Sequence, residues 1–164
     1  PIGAGALGPI RVRPDDQQLS GDLSLSFLPA ADTLIYARYA NGFRAPAVQG
    51  RLLFGDVVSV AGSETLHSVE LGAKADLWER RGRVLLTAYG YRVDDIQLTA
   101  VGGQQNFNTL INAEHVRGHG VEAEFEWLPD ERWWLSAGLS WNHTEIDDPA
   151  LAVQACGSPC TVLD

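Results

Sequence analysis

No stretch of this 164-residue chain holds the run of about 18 apolar residues that a membrane-crossing helix needs. Basic residues are few, 12 against 21 acidic, for a formal net charge of −9. Phosphate binding requires a basic stripe, so nucleic acid is excluded as a partner. Cysteine is scarce: Cys156 and Cys160 are the only two, in one short polar segment. With no second Cys pair or paired His near them, a structural zinc site lacks ligands. Two readings stand for them, a loop disulfide of an oxidising compartment or a pair of free thiols. Charges are scattered rather than blocked, which argues against intrinsic disorder. Methionine is absent, the chain opens at Pro1 with no signal-like segment, and its last residues read as a loop that never returns. It is expected to be a piece of a longer protein.

Catalytic signatures are lacking too. No G-x-S-x-G motif gathers a nucleophile, so no enzyme is expected. His115 and His119 lie four apart, which on a helix would suit a metal. On a strand they stand about 13 Å apart and cannot share an ion. Neither a metal nor a cofactor is expected.

What the chain does have is alternation. From Val121 to Trp127, Val121, Ala123, Phe125 and Trp127 oppose Glu122, Glu124 and Glu126. After the turn Pro129–Arg132 the pattern resumes, with Trp133, Leu135, Ala137, Leu139 and Trp141 against Ser136, Gly138, Ser140 and Asn142. Period two is the strand repeat, so Ile111–Thr144 reads as a hairpin of two long strands. Further strands are expected over Leu19–Leu28, Thr33–Phe43, Glu64–Leu77 and Arg83–Thr99. Between them Pro29–Asp32 and Trp78–Gly82 are short turns, whereas Gly42–Ser63, Ala100–Asn108 and Asp147–Asp164 are loops.

Short and long connections therefore alternate, and every short turn falls on the same side of the sheet. The strand runs reach the ~9–11 residues that cross a bilayer at a tilt. Such a plan describes an all-β, antiparallel transmembrane barrel, represented here by about six strands. A mean hydropathy near zero does not oppose it, because only alternate residues face lipid. A soluble sandwich or small barrel would alternate in the same way around a protein core. Tryptophan placement separates the two: Trp78, Trp127, Trp133 and Trp134, four of the five, flank two of the short turns. A soluble core draws large rings to mid-strand, whereas a bilayer holds them at headgroup level.

Four stretches carry a resemblance. RYANGFRAPAV (Arg38–Val48), SETLHSVELGAKADL (Ser63–Leu77), DDIQLTAVGG (Asp94–Gly103) and NAEHVRGHGVEAEFEW (Asn112–Trp127) resemble, in the same order, the C-terminal barrel of TonB-dependent outer-membrane receptors. The likeness covers about Leu19–Asp148. It implies a fragment of a barrel of about 22 strands with a plugged lumen, in the outer membrane of a Gram-negative bacterium. Its implied partners are the lipid bilayer, an N-terminal plug domain, a TonB-type energy-transducing protein and a scarce nutrient, a ferric siderophore first among them. A passive porin-like barrel is the alternative, and a soluble binding module the third.

Glu70 and Glu122 match positions whose carboxylates, in related receptors, face the lumen and meet plug arginines. An acid in a crowded pore is desolvated and suits a fork-like arginine partner; in a wet pore the same groups would be plain lumen wall. Ligand contacts are expected in the loops, where Arg44, Arg51 and Phe54 suit an anionic, partly aromatic ligand. Ordinary loop solvation is the simpler account of any one of them.

Overall fold

A computed structural model describes residues 9–50, 57–102 and 107–148. Six long strands form one antiparallel sheet: β1 (Gly21–Ala30), β2 (Thr33–Arg44), β5 (Glu64–Leu77), β6 (Gly82–Gly102), β7 (Phe107–Asp130) and β8 (Trp133–Asp147), neighbours in that order. A small antiparallel pair, β3 (Ala47–Gln49) and β4 (Ser59–Ala61), forms a second, two-stranded sheet. The two- to four-residue turns at β1–β2, β5–β6 and β7–β8 can only join antiparallel neighbours. Each strand of the six-stranded sheet outruns the ~5–6 residues usual in globular sheets.

Register fixes the two faces. One row runs Ile35–Ala73–Leu86–Ala123–Leu139 and the next Ala37–Leu71–Ala88–Val121–Trp141. With Leu23, Leu25 and Phe27 of β1 in step, they make one continuous apolar face. The opposite face carries Ser24, Arg38, Glu70 and Tyr89 in one row, and Ser26, Tyr36, Gly72, Thr87, Glu122 and Ser140 in the next. A one-residue slip in any strand would exchange the faces, so the pattern itself pins the register.

Nothing among the described residues covers the apolar face. Leu25 is 73 % exposed and Leu139 75 %, and no large side chain is fully buried. A soluble sandwich would lay a second sheet there. From Leu77 to Val69 the band is eight residues long, about 27 Å along the strand. Tilted as barrel strands are, it rises about 19–22 Å, which fills most of the outward apolar band of an outer-membrane barrel, about 25 Å tall.

On the polar face, three tyrosines lie across glycines of the adjoining strand. Tyr36 is the direct partner of Gly72, Tyr89 of Gly120 and Tyr91 of Gly118. A β-carbon at any of these glycines would run into the tyrosine ring. Glycine here trades backbone entropy for a close approach that lets an aromatic ring shield the strand.

The strands run longer than the alternation predicts. β6 continues to Gly102 and β7 begins at Phe107, so residues 100–102 and 107–108 of the expected loop belong to a hairpin that outreaches the sheet. Gly42–Ser63 is likewise less irregular than expected: β2 continues to Arg44, and β3 pairs with β4. Both stretches are rich in glycine or small residues, which weakens a periodicity signal without preventing backbone pairing. The Trp78–Arg81 turn holds three successive left-handed residues, Trp78, Glu79 and Arg80, with φ of 53°, 58° and 68°, a conformation no side-chain pattern announces.

Gly72→Ala should lower unfolding stability of the complete protein by about 1–3 kcal/mol through overpacking against Tyr36. In a Tyr36→Ala background the same change should cost far less. Equal cost in both backgrounds, measured by denaturant unfolding, would show that the ring–glycine contact is irrelevant.

Candidate functional site

The turn end and the loop end of the sheet are built differently. At the turn end Trp78 meets Phe125 edge-on at 6.3 Å and Trp127 at 5.9 Å. Arg81 stitches this turn to the next one: its backbone carbonyl accepts from Leu128 N at 2.7 Å, and its guanidinium donates to the carbonyls of Leu128 and Pro129. Trp133 shares the apolar parity of β8 with Leu135, whereas Trp134 falls on the parity of Ser136 and Ser140. The structure thus brings Trp78 and Trp127 into one aromatic cluster and sets Trp134 on the other face. Trp141, which the sequence pattern does not single out as a boundary residue, lies toward the loop end of the apolar face with its ring 5.5 Å from that of His119.

Glu70 and Glu122 stand on the polar face in neighbouring rows, Glu70 on β5 and Glu122 on β7. Tyr36 lies between them. Its hydroxyl donates to Glu70 Oε1 at 2.6 Å and lies 3.3 Å from Thr87 Oγ1, and Thr87 is the direct partner of Glu122. Lys74 Nζ sits 5.6 Å from the centre of the same ring. The tyrosine was not legible as part of this site; only its register against Gly72 shows it. Toward the turns the face opens into a cleft of about 440 Å³ lined by Lys74, Asp76, Arg83, Glu124 and Glu126 among others. Arg83 is held by Asp76 at 2.9 Å. The cleft lies at the opposite end from the loops expected to meet a ligand.

The loop end carries most of the buried residues: Ala61, Val93, Gln97, Ala113 and Val116. The reason is a grip on the segment between β2 and β5. Gln97 Nε2 donates to the carbonyls of Ala45 at 2.8 Å and Gly62 at 2.9 Å, while its backbone N–H donates to Glu64 Oε2 at 2.7 Å. Its direct partner Asn112 donates to the carbonyls of Gly62 at 3.1 Å and Asp95 at 2.6 Å, and accepts from Gly62 N at 2.8 Å. Asp95 has a left-handed φ of 55°, which Asp tolerates better than most residues. Farther along, Gln49 Nε2 donates to the Asn108 carbonyl at 3.1 Å and Leu110 N to Ser59 Oγ at 2.9 Å. Asn112 has the parity of Glu122 along unbroken β7, so the segment is held on the polar-face side. The amide-rich composition of β6 and β7 here is the only sequence signal of this grip.

Arg44 ends β2 at the foot of that segment, paired in register with Glu64 and 4.0 Å from its carboxylate, with its side chain 63 % exposed. Arg51, Phe54, Cys156 and Cys160 lie outside the described residues. Asp16, ahead of β1, accepts hydrogen bonds from Ser63 Oγ, Gln18 Nε2 and Gln17 N, and these hold its carboxyl below the usual range. A lowered carboxyl contributes where it is ionised, so this tie between the β1 approach and the start of β5 is present at neutral pH and is lost as pH falls through the lowered value.

Gln97→Leu should free the segment. It removes both side-chain donations, so the Ala45 carbonyl loses this partner and the Gly62 carbonyl keeps Asn112 alone, a cost of about 1–3 kcal/mol for a carbonyl left buried without a donor. Limited proteolysis of the folded complete protein should then cut between β3 and β4 faster than in the unaltered protein. Unchanged cutting would place the grip elsewhere.

Among known proteins, residues 4–155 match the family described as TonB dependent receptor-like, beta-barrel. No curated protein matches the chain. The family is one of receptors and transporters, not of enzymes, and its barrels reside in the outer membrane of Gram-negative bacteria. Six antiparallel strands with an uncovered apolar face, short turns at one end and a gripped loop at the other, and a family match spanning most of the chain, make it part of the β-barrel of a TonB-dependent outer-membrane receptor.

Proposed function

We propose that this chain is barrel wall of an active uptake receptor whose cargo is a ferric siderophore or a similar small anionic ligand. A separate N-terminal plug domain fills the lumen, and a TonB-type partner supplies the energy through that plug. The observation that carries the reading is the built loop end. A segment gripped by Gln97 and Asn112 on the polar-face side, with the exposed Arg44 at its foot, offers a shaped, cation-bearing surface where a ligand would arrive. An arginine there keeps donors for a carboxylate or a catecholate oxygen beyond its long contact to Glu64.

Glu70 and Glu122 are proposed as the wall's contacts to plug cations. Tyr36 supports this role: by engaging one oxygen of Glu70 it leaves the other for a second donor, and it fixes the carboxylate in place. Glu124 and Glu126, in the cleft nearer the turns, are pore wall.

The test is radio-iron uptake through the complete receptor. Ferric siderophore should enter only when the TonB-type partner is present, and Arg44→Ala should weaken ligand binding by about 1.5–3 kcal/mol, the worth of a charged hydrogen bond. Uptake that persists without the partner would mark a passive pore instead. The double change Glu70→Gln and Glu122→Gln should reduce uptake several-fold while ligand binding at the cell surface stays intact. If transport and plug retention are unaltered by it, these carboxylates are not plug contacts.

A further inference from the structure

All four histidines of the chain fall on one face of the sheet, toward its loop end. His67, His119 and His143 project with the apolar parity of Val69, Val121 and Trp141, and His115 follows two residues beyond Arg117. Two of them are occupied. The Tyr39 hydroxyl lies 2.9 Å from His67 Nδ1, and His115 Nε2 lies 3.0 Å from the Asp147 carboxylate.

The other two meet each other. His119 and His143 are direct cross-strand partners on β7 and β8, with ring centroids 5.5 Å apart and planes at 52°. Both side chains are exposed. An imidazole nitrogen binds a transition ion at ~2.0–2.1 Å, which puts the ion about 3.2 Å from each ring centroid. With one nitrogen of each ring turned to a common ion, centroids at the observed separation subtend about 118° there, within reach of a tetrahedral site. Four residues along one strand could never achieve this, since ~13 Å separates such a pair; strand pairing brings together what the sequence keeps 24 positions apart.

We propose that His119 and His143 form a two-imidazole site for a borderline divalent ion of the Zn²⁺, Ni²⁺ and Cu²⁺ class. Imidazole suits these ions, and Cu²⁺ binds tightest by the ordinary order of affinities. Among the described residues no third protein ligand stands with the pair, so the remaining positions belong to water and the ion is exchangeable. The Trp141 ring, 5.5 Å from His119, shields one side. One row nearer the loop end, Arg117 and Glu145 are direct partners and place opposite charges together there, so the pair does not sit in a field of one sign. The site faces away from Glu70, Glu122 and the gripped segment. It is therefore separate from any cargo route, and its effect is to staple β7 to β8 at the edge of the apolar band.

The experiment is a Cu²⁺ titration of the complete receptor in detergent, followed by electron paramagnetic resonance. The unaltered protein should show an ion bound by two imidazole nitrogens. His119→Gln and His143→Gln should each weaken that binding at least about tenfold, while His67→Gln leaves it unchanged. If both single variants bind Cu²⁺ with the spectrum and affinity of the unaltered protein, the site does not exist. A readout that needs no variant stands beside this one. Zn²⁺ should protect residues 119 and 143 of the unaltered receptor from diethylpyrocarbonate, scored by mass spectrometry, and equal modification with and without Zn²⁺ overturns the proposal.

Discussion

In hydrocarbon a backbone N–H or C=O has no water to turn to, so every one must find a partner within the protein. The unbroken ladder from β1 to β8 is the response to that constraint, and everything else in the chain is arranged around it. Five strand pairs run in register with irregularities only at the β1–β2 and β7–β8 turns. The outer edges of β1 and β8 have no partner strand among the described residues. An open edge in lipid is untenable, which is why this sheet belongs to a larger closed barrel.

Once the ladder is fixed, alternation assigns each side chain to lipid or lumen. The faces differ in how they are held. On the apolar side small and branched residues stand free, awaiting lipid. The polar side builds its own order, with tyrosines laid over glycines and their hydroxyls reaching Glu70 and Thr144. The tight turns need few contacts beyond Arg81 and the Trp78 cluster. Long connections cannot rely on the ladder, and there the chain spends amide side chains, Gln97 and Asn112 above all, on carbonyls that would otherwise be orphaned.

Much of this was legible in the sequence because period two is a strong signal wherever residues differ between faces. Glu64–Leu77 is observed with the bounds its alternation predicts, and the row of Val121, Ala123 and Phe125 opposes its acids as read. Legibility fails where the residues are small or amphipathic. Alternation among Gly, Ala, Gln and Asn carries no polarity contrast, so the outer reach of the β6–β7 hairpin and the β3–β4 pair were hidden. Contacts across strands were hidden too. Tyr36 above Gly72 and His119 beside His143 depend on register, which no single strand reveals. Trp134 illustrates the remaining gap: clustering of tryptophans at a turn marks the boundary, but parity decides which face each one serves.

On β5 the odd positions meet lipid and the even positions face the lumen. Spin labels placed singly from Val69 to Ala75 in the complete receptor, with Cys156 and Cys160 changed to Ser, test it in bilayers by collision with oxygen and with a water-soluble nickel reagent. Labels at 69, 71, 73 and 75 should be oxygen-accessible and shielded from nickel, and those at 70, 72 and 74 should show little oxygen exposure. A profile without period two, or one with the parities exchanged, would mean that these faces are assigned wrongly.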